Sequence, residues 1–174
     1  STSELVTEIL QYFDDRMQFT SVEATALYAG ILVDTKNFAV QTGERTFEAA
    51  AFLRRNGADP KIVSQLFKDD EETILKRAQL ITDMKTPIPG LAYSVYRNAP
   101  IDSDVSTVVA QAADELLTMD DINVSVVMSE NQNGVSMSAR SDGGVNVQTM
   151  MEELGGGGHQ TVAGVQIQDV TADE

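Results

Sequence analysis

A run of four glycines followed by the only histidine is the stretch of this sequence best suited to chemistry. It reads Gly155-Gly156-Gly157-Gly158-His159. Ordering four consecutive glycines costs backbone entropy, but their amides can approach an oxyanion closely because no Cβ stands in the way. The imidazole can add a hydrogen bond or a charge to the same anion. The stretch therefore predicts a phosphate-binding loop, and a flexible surface loop is the alternative.

A second candidate phosphate ligand is Arg140, the only Lys or Arg after Arg97. It lies between Ser138 and Ser141, at the end of a predicted strand and before a pair of glycines. A guanidinium matches the geometry of a phosphate, and hydroxyls supply further donors. Together with the glycine run, this segment predicts a phosphate or nucleotide pocket. A solvated strand-end cation paired with an acid is the alternative.

Asp34 follows the apolar stretch Gly30–Val33 at the end of a predicted helix. A buried carboxylate in that position needs a partner, and a divalent cation would satisfy it. A local turn made with Thr35 and Asn37 is the alternative. One carboxylate does not form a metal site, so Asp34 alone predicts no catalytic centre.

Composition excludes several classes of protein. The 174 residues include 12 Lys and Arg against 27 Asp and Glu, a net charge of −15, which opposes binding of a long polyphosphate. Cysteine is absent, so disulfides and cysteine-bound zinc are excluded. No apolar stretch of about 18 residues is present, so we expect no membrane contact by this chain. A small anionic ligand held by a few placed groups remains compatible with this charge.

The apolar spacing and the capping residues predict an α/β fold with a small mixed sheet. The prediction divides the chain into a helical part, residues 1–84, a linker, residues 85–90, and a part with strands and helices, residues 91–174. The linker prediction depends on two prolines and a glycine within Thr86–Gly90. Four predicted helices have both ends assigned: Ser21–Val33, Thr46–Arg55, Glu71–Met84 and Val147–Leu154. For three more only the start is assigned, at Ser3, Pro60 and Asp104. The predicted strands are Leu91–Tyr96, Asn123–Met128, Val135–Ala139 and Val162–Ile167.

Taken together, these segments resemble the DHH phosphoesterase superfamily. Within it, they look closest to the cyclic di-AMP phosphodiesterases of Gram-positive bacteria. The resemblance covers nearly the whole chain. It depends on Gly30–Phe38, Thr42–Ala50, Arg54–Asp59, Ser138–Ser141, Asn146-Val147, Gly155–His159 and Ala163-Gly164.

The resemblance implies that residues 1–84 are the C-terminal part of a DHH catalytic domain and that residues 91–174 are a DHH-associated domain. Asp34 matches a ligand of the two Mn²⁺ ions that the family binds. The namesake Asp-His-His triplet is missing, since His159 is the only histidine. The chain then looks like a fragment with an incomplete metal site and no catalytic residue of its own. The positions that match the family's substrate contacts are Ser138, Arg140, Ser141, Gly155, Gly156, Gly157, Gly158 and His159.

The function implied is manganese-dependent hydrolysis of cyclic di-AMP to linear pApA by the intact parent, with this chain inactive alone. A nanoRNase or adenosine bisphosphate phosphatase of the same superfamily and a nucleotide-binding module without catalysis stay open. The implied partners are a cyclic dinucleotide or a short oligonucleotide, and a homodimer stays open. Family members of this branch are membrane-anchored with a cytosolic catalytic region, so the resemblance implies a cytoplasmic location.

Overall fold

The computed structural model describes residues 1–13, 19–101 and 103–173. The chain divides into two compact units, Ser1–Lys68 and Asp69–Glu174. The predicted α/β class with a mixed sheet is confirmed. Among the described residues, no helix combines the length and the apolar character that crossing a bilayer requires.

The first unit is helical throughout its regular elements. They are α1 (Thr2–Phe13), α2 (Ser21–Asp34), α3 (Glu44–Arg55) and α4 (Pro60–Leu66). Thr20 caps α2 through a capping box with Glu23, in which each side chain accepts from the other residue's backbone amide. The core forms where α2 and α3 meet, around the fully buried Ile31 and Leu53.

The apolar side chains of α1 are largely exposed, whereas most of the apolar stretch 24–33 of α2 is buried or half-buried. Tyr12 is 80% exposed and Ile9 is 64% exposed on α1, where Thr7 is the buried residue. On α2, Val22 and Val33 are exposed at 78% and 54%. Helix α2 packs against α1, α3 and α4, which accounts for its greater burial. Helical periodicity therefore located these helices without showing which apolar side chains this chain buries.

The second unit contains a six-stranded sheet and three helices among its described residues. The helices are α5 (Glu71–Thr82), α6 (Ser103–Leu116) and α7 (Val147–Glu153). The strands are β1 (Lys85–Ile88), β2 (Gly90–Tyr96), β3 (Ile122–Asn131), β4 (Gly134–Ser141), β5 (Gly157–His159) and β6 (Val162–Gln168). Their order is β1-β2-β3-β4-β6-β5; β2 and β3 are parallel and every other pair is antiparallel.

Helices cover the two faces of this sheet at different strands. On one face α6 packs over β3 and β4, and the Ser125 hydroxyl of β3 donates to the Ala113 carbonyl of α6 at 2.6 Å. On the other face α7 packs over β5 and β6, with Val147 and Met151 buried against Ala163. Side chains alternate between faces along each strand, so each strand serves both layers.

The predicted linker, residues 85–90, is instead part of the sheet. Lys85–Ile88 forms β1, and Lys85 pairs with Tyr93 of β2. Pro87 fits there because β1 is an edge strand, where proline is tolerated. Along the chain, the division between the two units falls between Lys68 and Asp69, before the boundary that the sequence predicted at residue 84. The predicted helix start at Asp104 is observed within one residue, since α6 begins at Ser103, and Asp102 lies outside the described residues.

Candidate functional site

The sheet register places Arg140 and His159 in one row on the same face. Arg140 of β4 pairs with Val162 of β6, and His159 of β5 pairs with the same Val162 from the other side. Residues that pair directly in antiparallel strands project to one face. Two strand spacings separate the Cα atoms of Arg140 and His159, about 10 Å. We call Arg140, Val162 and His159 the Arg140–His159 row.

Arg140 is held by contacts on two sides of its guanidinium. Arg140 is 8% exposed, and its Nε donates to Asp114 Oδ1 of α6 at 3.2 Å. Its Nη1 donates to the Ala139 carbonyl at 3.0 Å. Among the described contacts, none engages Nη2. The sequence indicated Arg140, but nothing in it pointed to Asp114, which lies 26 residues away on a helix.

His159 is exposed and ends β5, just before the turn formed by Gln160 and Thr161. This turn is tied to the rest of the unit by its carbonyls. The Ser141 amide donates to the Thr161 carbonyl at 3.0 Å, and the Val147 amide donates to the Gln160 carbonyl at 3.0 Å. The β5–β6 hairpin therefore presents His159 from a fixed backbone.

The first two glycines of the run end helix α7. The Gly155 amide donates to the Glu152 carbonyl at 3.0 Å, and the Gly156 amide donates to the Met151 carbonyl at 2.8 Å. This pair of bonds is the Schellman motif, which requires the left-handed φ of +85° that Gly155 adopts. These two amides are thus engaged within the protein. The predicted anion nest therefore cannot use these two amides while the bonds hold. Anion binding by the rest of the run stays a prediction.

Gly156, Gly157 and Gly158 differ in the space that surrounds them. A Cβ on Gly156 would lie 2.3 Å from the Gly164 carbonyl oxygen, and one on Gly158 would lie 2.4 Å from that of Val162. Both glycines are therefore required by close packing on β6. A Cβ on Gly157 would meet nothing within 4 Å, and Gly157 has no left-handed φ. Gly157 shares its face with His159, two residues along β5, so the open space adjoins the Arg140–His159 row.

The two serines beside Arg140 have different surroundings. Ser141 is 4% exposed; its hydroxyl donates to the Val145 carbonyl at 2.6 Å and accepts from the Gly143 amide at 3.2 Å. It holds the loop after β4, and a substrate contact through it stays a prediction. Ser138 is half-buried, pairs with Gly164, and lies on the same face as Arg140.

The loop after β4 is fixed by Asp142. Its Oδ1 accepts from the Gly144 amide at 2.8 Å, and its Oδ2 accepts from the Asn123 side-chain amide at 2.9 Å. The Gly144 amide, and after it the Asn123 side chain, hold the pKa of the Asp142 carboxyl below its usual range. Ser141, the residue before Asp142, donates its amide to the Thr161 carbonyl in the β5–β6 turn. By fixing the loop next to Ser141, Asp142 indirectly supports the turn that follows His159.

Asp34 lies at the exposed C-terminal end of α2 rather than in a buried position. The next residue, Thr35, is 1% exposed; its hydroxyl donates to the Ile31 carbonyl at 2.7 Å and accepts from the Phe38 amide at 3.0 Å. The chain turns directly after Asp34, and a metal-ligand role for its carboxylate stays a prediction. Three consecutive residues then adopt left-handed backbone, with φ of 46°, 55° and 67° at Lys36, Asn37 and Phe38. Such strain is often associated with functional segments, and only Asn37 signalled it in the sequence.

The described residues of this chain do not complete a metal site. They contain no group of three or more Asp, Glu, His or Cys side chains placed to hold an ion. Asp34 is exposed and can offer one carboxylate ligand. The two-manganese centre implied by the resemblance does not fit the described side chains of this chain alone.

Comparisons with known proteins agree with the resemblance noted from the sequence. Residues 96–174 match the family described as the DHHA1 domain. Over its full length, the chain is 47% identical to the cyclic-di-AMP phosphodiesterase GdpP of Geobacillus thermodenitrificans and spans 26% of that protein. It is 44% identical to the cyclic-di-AMP phosphodiesterase PdeA of Listeria monocytogenes, again spanning 26%. The chain therefore covers about a quarter of the length of these relatives.

More distant matches extend this result. The chain is 25% identical, over 176 residues, to the bifunctional oligoribonuclease and PAP phosphatase NrnA of Thermus thermophilus and spans 53% of it. The fold of this chain also resembles that of an exopolyphosphatase-related protein from Bacteroides fragilis, with a TM-score of 0.85 at 20% identity. The match covers 99% of this chain and 53% of that protein. The fold of the chain is thus one already seen in solved structures.

Proposed function

Residues 96–174 match the DHHA1 domain family, and on that premise we propose that the second unit binds a phosphate of a cyclic dinucleotide at the Arg140–His159 row. The observation that carries the proposal is the sheet register, which brings onto one face Arg140, the only Lys or Arg after Arg97, and His159, the only histidine. The names of the relatives at 44% and 47% identity supply the ligand, cyclic di-AMP.

The geometry assigns a separate role to each group. Arg140, held through Nε and Nη1, offers Nη2 to one phosphate oxygen. His159 offers a ring nitrogen about 10 Å further along the sheet, measured between Cα atoms. The open space at Gly157 lets the ligand approach the backbone of β5. A guanidinium contact to phosphate is charge-assisted and therefore among the stronger hydrogen bonds.

In the intact parent, we propose that this unit holds cyclic di-AMP while one phosphodiester bond is hydrolysed to give linear pApA. A water oxygen bonds to phosphorus, the bond from phosphorus to the 3′ oxygen breaks, and that oxygen takes a proton. Arg140 and His159 hold and orient the phosphate. Manganese dependence belongs to the proposal for the intact parent, where Asp34 would supply one ligand beside residues outside this chain.

A short oligonucleotide is the second candidate ligand, because the oligoribonuclease NrnA matches the whole of this chain. The same row would then hold the phosphate of a linear dinucleotide. The two candidates differ in the ligand's second phosphate, which is closed into a ring in one and terminal in the other.

Isothermal titration calorimetry of this chain with cyclic di-AMP, pApA and an unrelated short RNA tests the proposal. We expect His159→Gln and Arg140→Ala each to weaken binding of the preferred dinucleotide about tenfold or more. His159 is exposed, so its substitution leaves the fold intact. Arg140→Ala also removes the bond to Asp114, so its thermal unfolding is measured in parallel.

The matched control is Gln166→Ala, an exposed residue on the same face of β6 that pairs with Ser136 away from the row. It should bind like the unmodified chain. Wild-type affinity in both His159→Gln and Arg140→Ala would remove the row as the binding site. Stronger binding of the linear ligands than of cyclic di-AMP would favour the second candidate.

A further inference from the structure

A cavity lies at the edge of β2, within the second unit. Its volume is about 500 Å³, within the range that small-molecule sites usually occupy. We call it the β2-edge cavity and define it by six of its lining residues. They are Lys76, Lys85, Tyr93, Tyr96, Arg97 and Asp173. It shares no residue with the Arg140–His159 row.

The cavity exists because β1 is shorter than β2. The pairing of β1 with β2 reaches Tyr93, opposite Lys85, whereas β2 continues to Tyr96. Helix α5 contributes one wall through Lys76 and Leu80. After β6 ends at Gln168, the chain returns so that Asp173 forms part of another wall. The C-terminal segment thus borders an opening beside the edge of the sheet.

The cavity is lined by charges of both signs, three cations and the carboxylates of Asp83 and Asp173. The three cations are Lys76, Lys85 and Arg97, and Lys76 is paired with Glu72 at 2.6 Å. Arg97 Nη2 donates to Asp173 Oδ1 at 2.7 Å, and Arg97 Nη1 donates to Glu130 Oε2 at 2.9 Å.

A carboxylate already occupies the anion position of this cavity. Arg97, and more weakly Lys85, hold the pKa of the Asp173 carboxyl below its usual range. The side chain of Asp173 is 75% exposed and that of Arg97 is 49% exposed. Ion pairs this exposed contribute little to stability, so another anion can replace Asp173. The other lining carboxylate, Asp83, accepts from the Gln79 amide at 2.7 Å.

The remaining lining residues suit an aromatic ring. Tyr93 and Tyr96 are both half-buried and contribute ring surface. Ser94, which also lines the cavity, is 1% exposed, and its hydroxyl has no hydrogen-bond partner among the described residues. This hydroxyl is fully buried on the face of β2 opposite Tyr93, so it is not part of the proposed contact.

We propose that the β2-edge cavity binds a nucleoside 5′-phosphate, with Asp173 as its intramolecular competitor. The phosphate takes the place of the Asp173 carboxylate at Arg97 and Lys85. The base packs against Tyr93, which pairs with Lys85 and shares its face of the sheet. The proposal is independent of the function proposed for the Arg140–His159 row, because it rests on different residues.

Titration of this chain with adenosine 5′-monophosphate, followed by calorimetry and by amide NMR shifts, tests the proposal. We expect shifts at the amides of Tyr93, Tyr96 and Arg97. Asp173→Asn should bind about two- to fivefold more tightly, because the competing carboxylate is gone. Arg97→Gln should lose most of the affinity. A misfolded variant cannot produce the gain expected for Asp173→Asn.

The matched control is Asp120→Asn, which removes the same charge from an exposed turn outside the cavity. It should bind like the unmodified chain. Adenosine and inorganic phosphate, titrated separately, should each bind more weakly than the nucleotide. Equal affinity in Asp173→Asn and Asp120→Asn, or shifts confined to the amides of Gly157–His159, would overturn the proposal. The second result would still leave the function proposed for the row intact.

Discussion

Gly157 and Gly158 are adjacent, yet the structure gives them different reasons to lack a side chain. A Cβ on Gly158 would collide with the Val162 carbonyl oxygen, and its φ is +148°. A Cβ on Gly157 would enter open space. We expect Gly158→Ala to lower the free energy of unfolding by about 2 kcal/mol or more, and Gly157→Ala to change it by less than about 0.5 kcal/mol.

The two substitutions should therefore separate folding from binding. Thermal unfolding measures the first effect and calorimetry with cyclic di-AMP the second. Gly157→Ala should keep the unfolding temperature but weaken binding, because its methyl group fills the space next to His159. Equal loss of stability in both variants would show that the space at Gly157 is needed by the fold.

Arg140 shows what residue-level reasoning from sequence can and cannot reach. Its isolation from other cations, between serines, was enough to select it as a candidate. The bond from its Nε to Asp114 depends on how α6 lies over β4, which no local pattern reveals. For Ser141, the local pattern suggested a phosphate contact, whereas the fold uses its hydroxyl to close a loop.

At the scale of elements, the loop between β4 and α7 links protonation to the shape of the site. The pKa of Asp142 is lowered in the folded chain by the Gly144 amide and then by the Asn123 side chain. A lowered pKa means that the carboxylate stabilises the fold above the ordinary value of about 3.9, and that this contribution is lost as the pH falls through the lowered value. The loop should therefore loosen in acid.

We expect Asp142→Asn to unfold at a lower temperature than the unmodified chain at pH 7. The difference should shrink as the pH falls from the ordinary carboxyl pKa of about 3.9 through the lowered pKa of Asp142, because the unmodified chain then loses the contribution of its carboxylate. Thermal unfolding of both proteins across this range measures it. Asp120→Asn serves as the control, and a difference that grows in acid would contradict the assignment.

The helices and central strands could be predicted from sequence because each carried its own signal. Apolar residues located α2, and apolar spacing with a capping residue located α7, where Asn146 does cap the helix and accepts from the Gln148 amide at 3.0 Å. The strands β1 and β5 were missed. β1 contains a proline, and β5 is three residues with two glycines, so neither has strand propensity. Both exist because a neighbouring strand pairs with them.

For the whole molecule, we expect no hydrolysis of cyclic di-AMP by this chain alone. The described residues contain no cluster of metal ligands, and the chain spans 26% of its relatives at 44% and 47% identity. Chromatography of cyclic di-AMP incubated with the purified chain and Mn²⁺ measures the outcome. The intact parent, assayed in the same buffer, is the positive control.

Manganese-dependent turnover by this chain that survives further purification would refute that expectation. The assay is informative only with the binding data, because a chain that binds cyclic di-AMP without cleaving it fits the proposed division of labour. A chain that neither binds nor cleaves would leave the Arg140–His159 row without support.

The tight fit of Gly156 and Gly158 against β6 has a genetic consequence. Every missense change at either codon introduces a side chain where the neighbouring strand leaves no room. A screen for inactive alleles of the parent gene should recover such changes as temperature-sensitive proteins that are degraded in the cell. Inactive alleles at codon 157 should instead accumulate to normal levels, so immunoblotting of the recovered strains would sort the two groups.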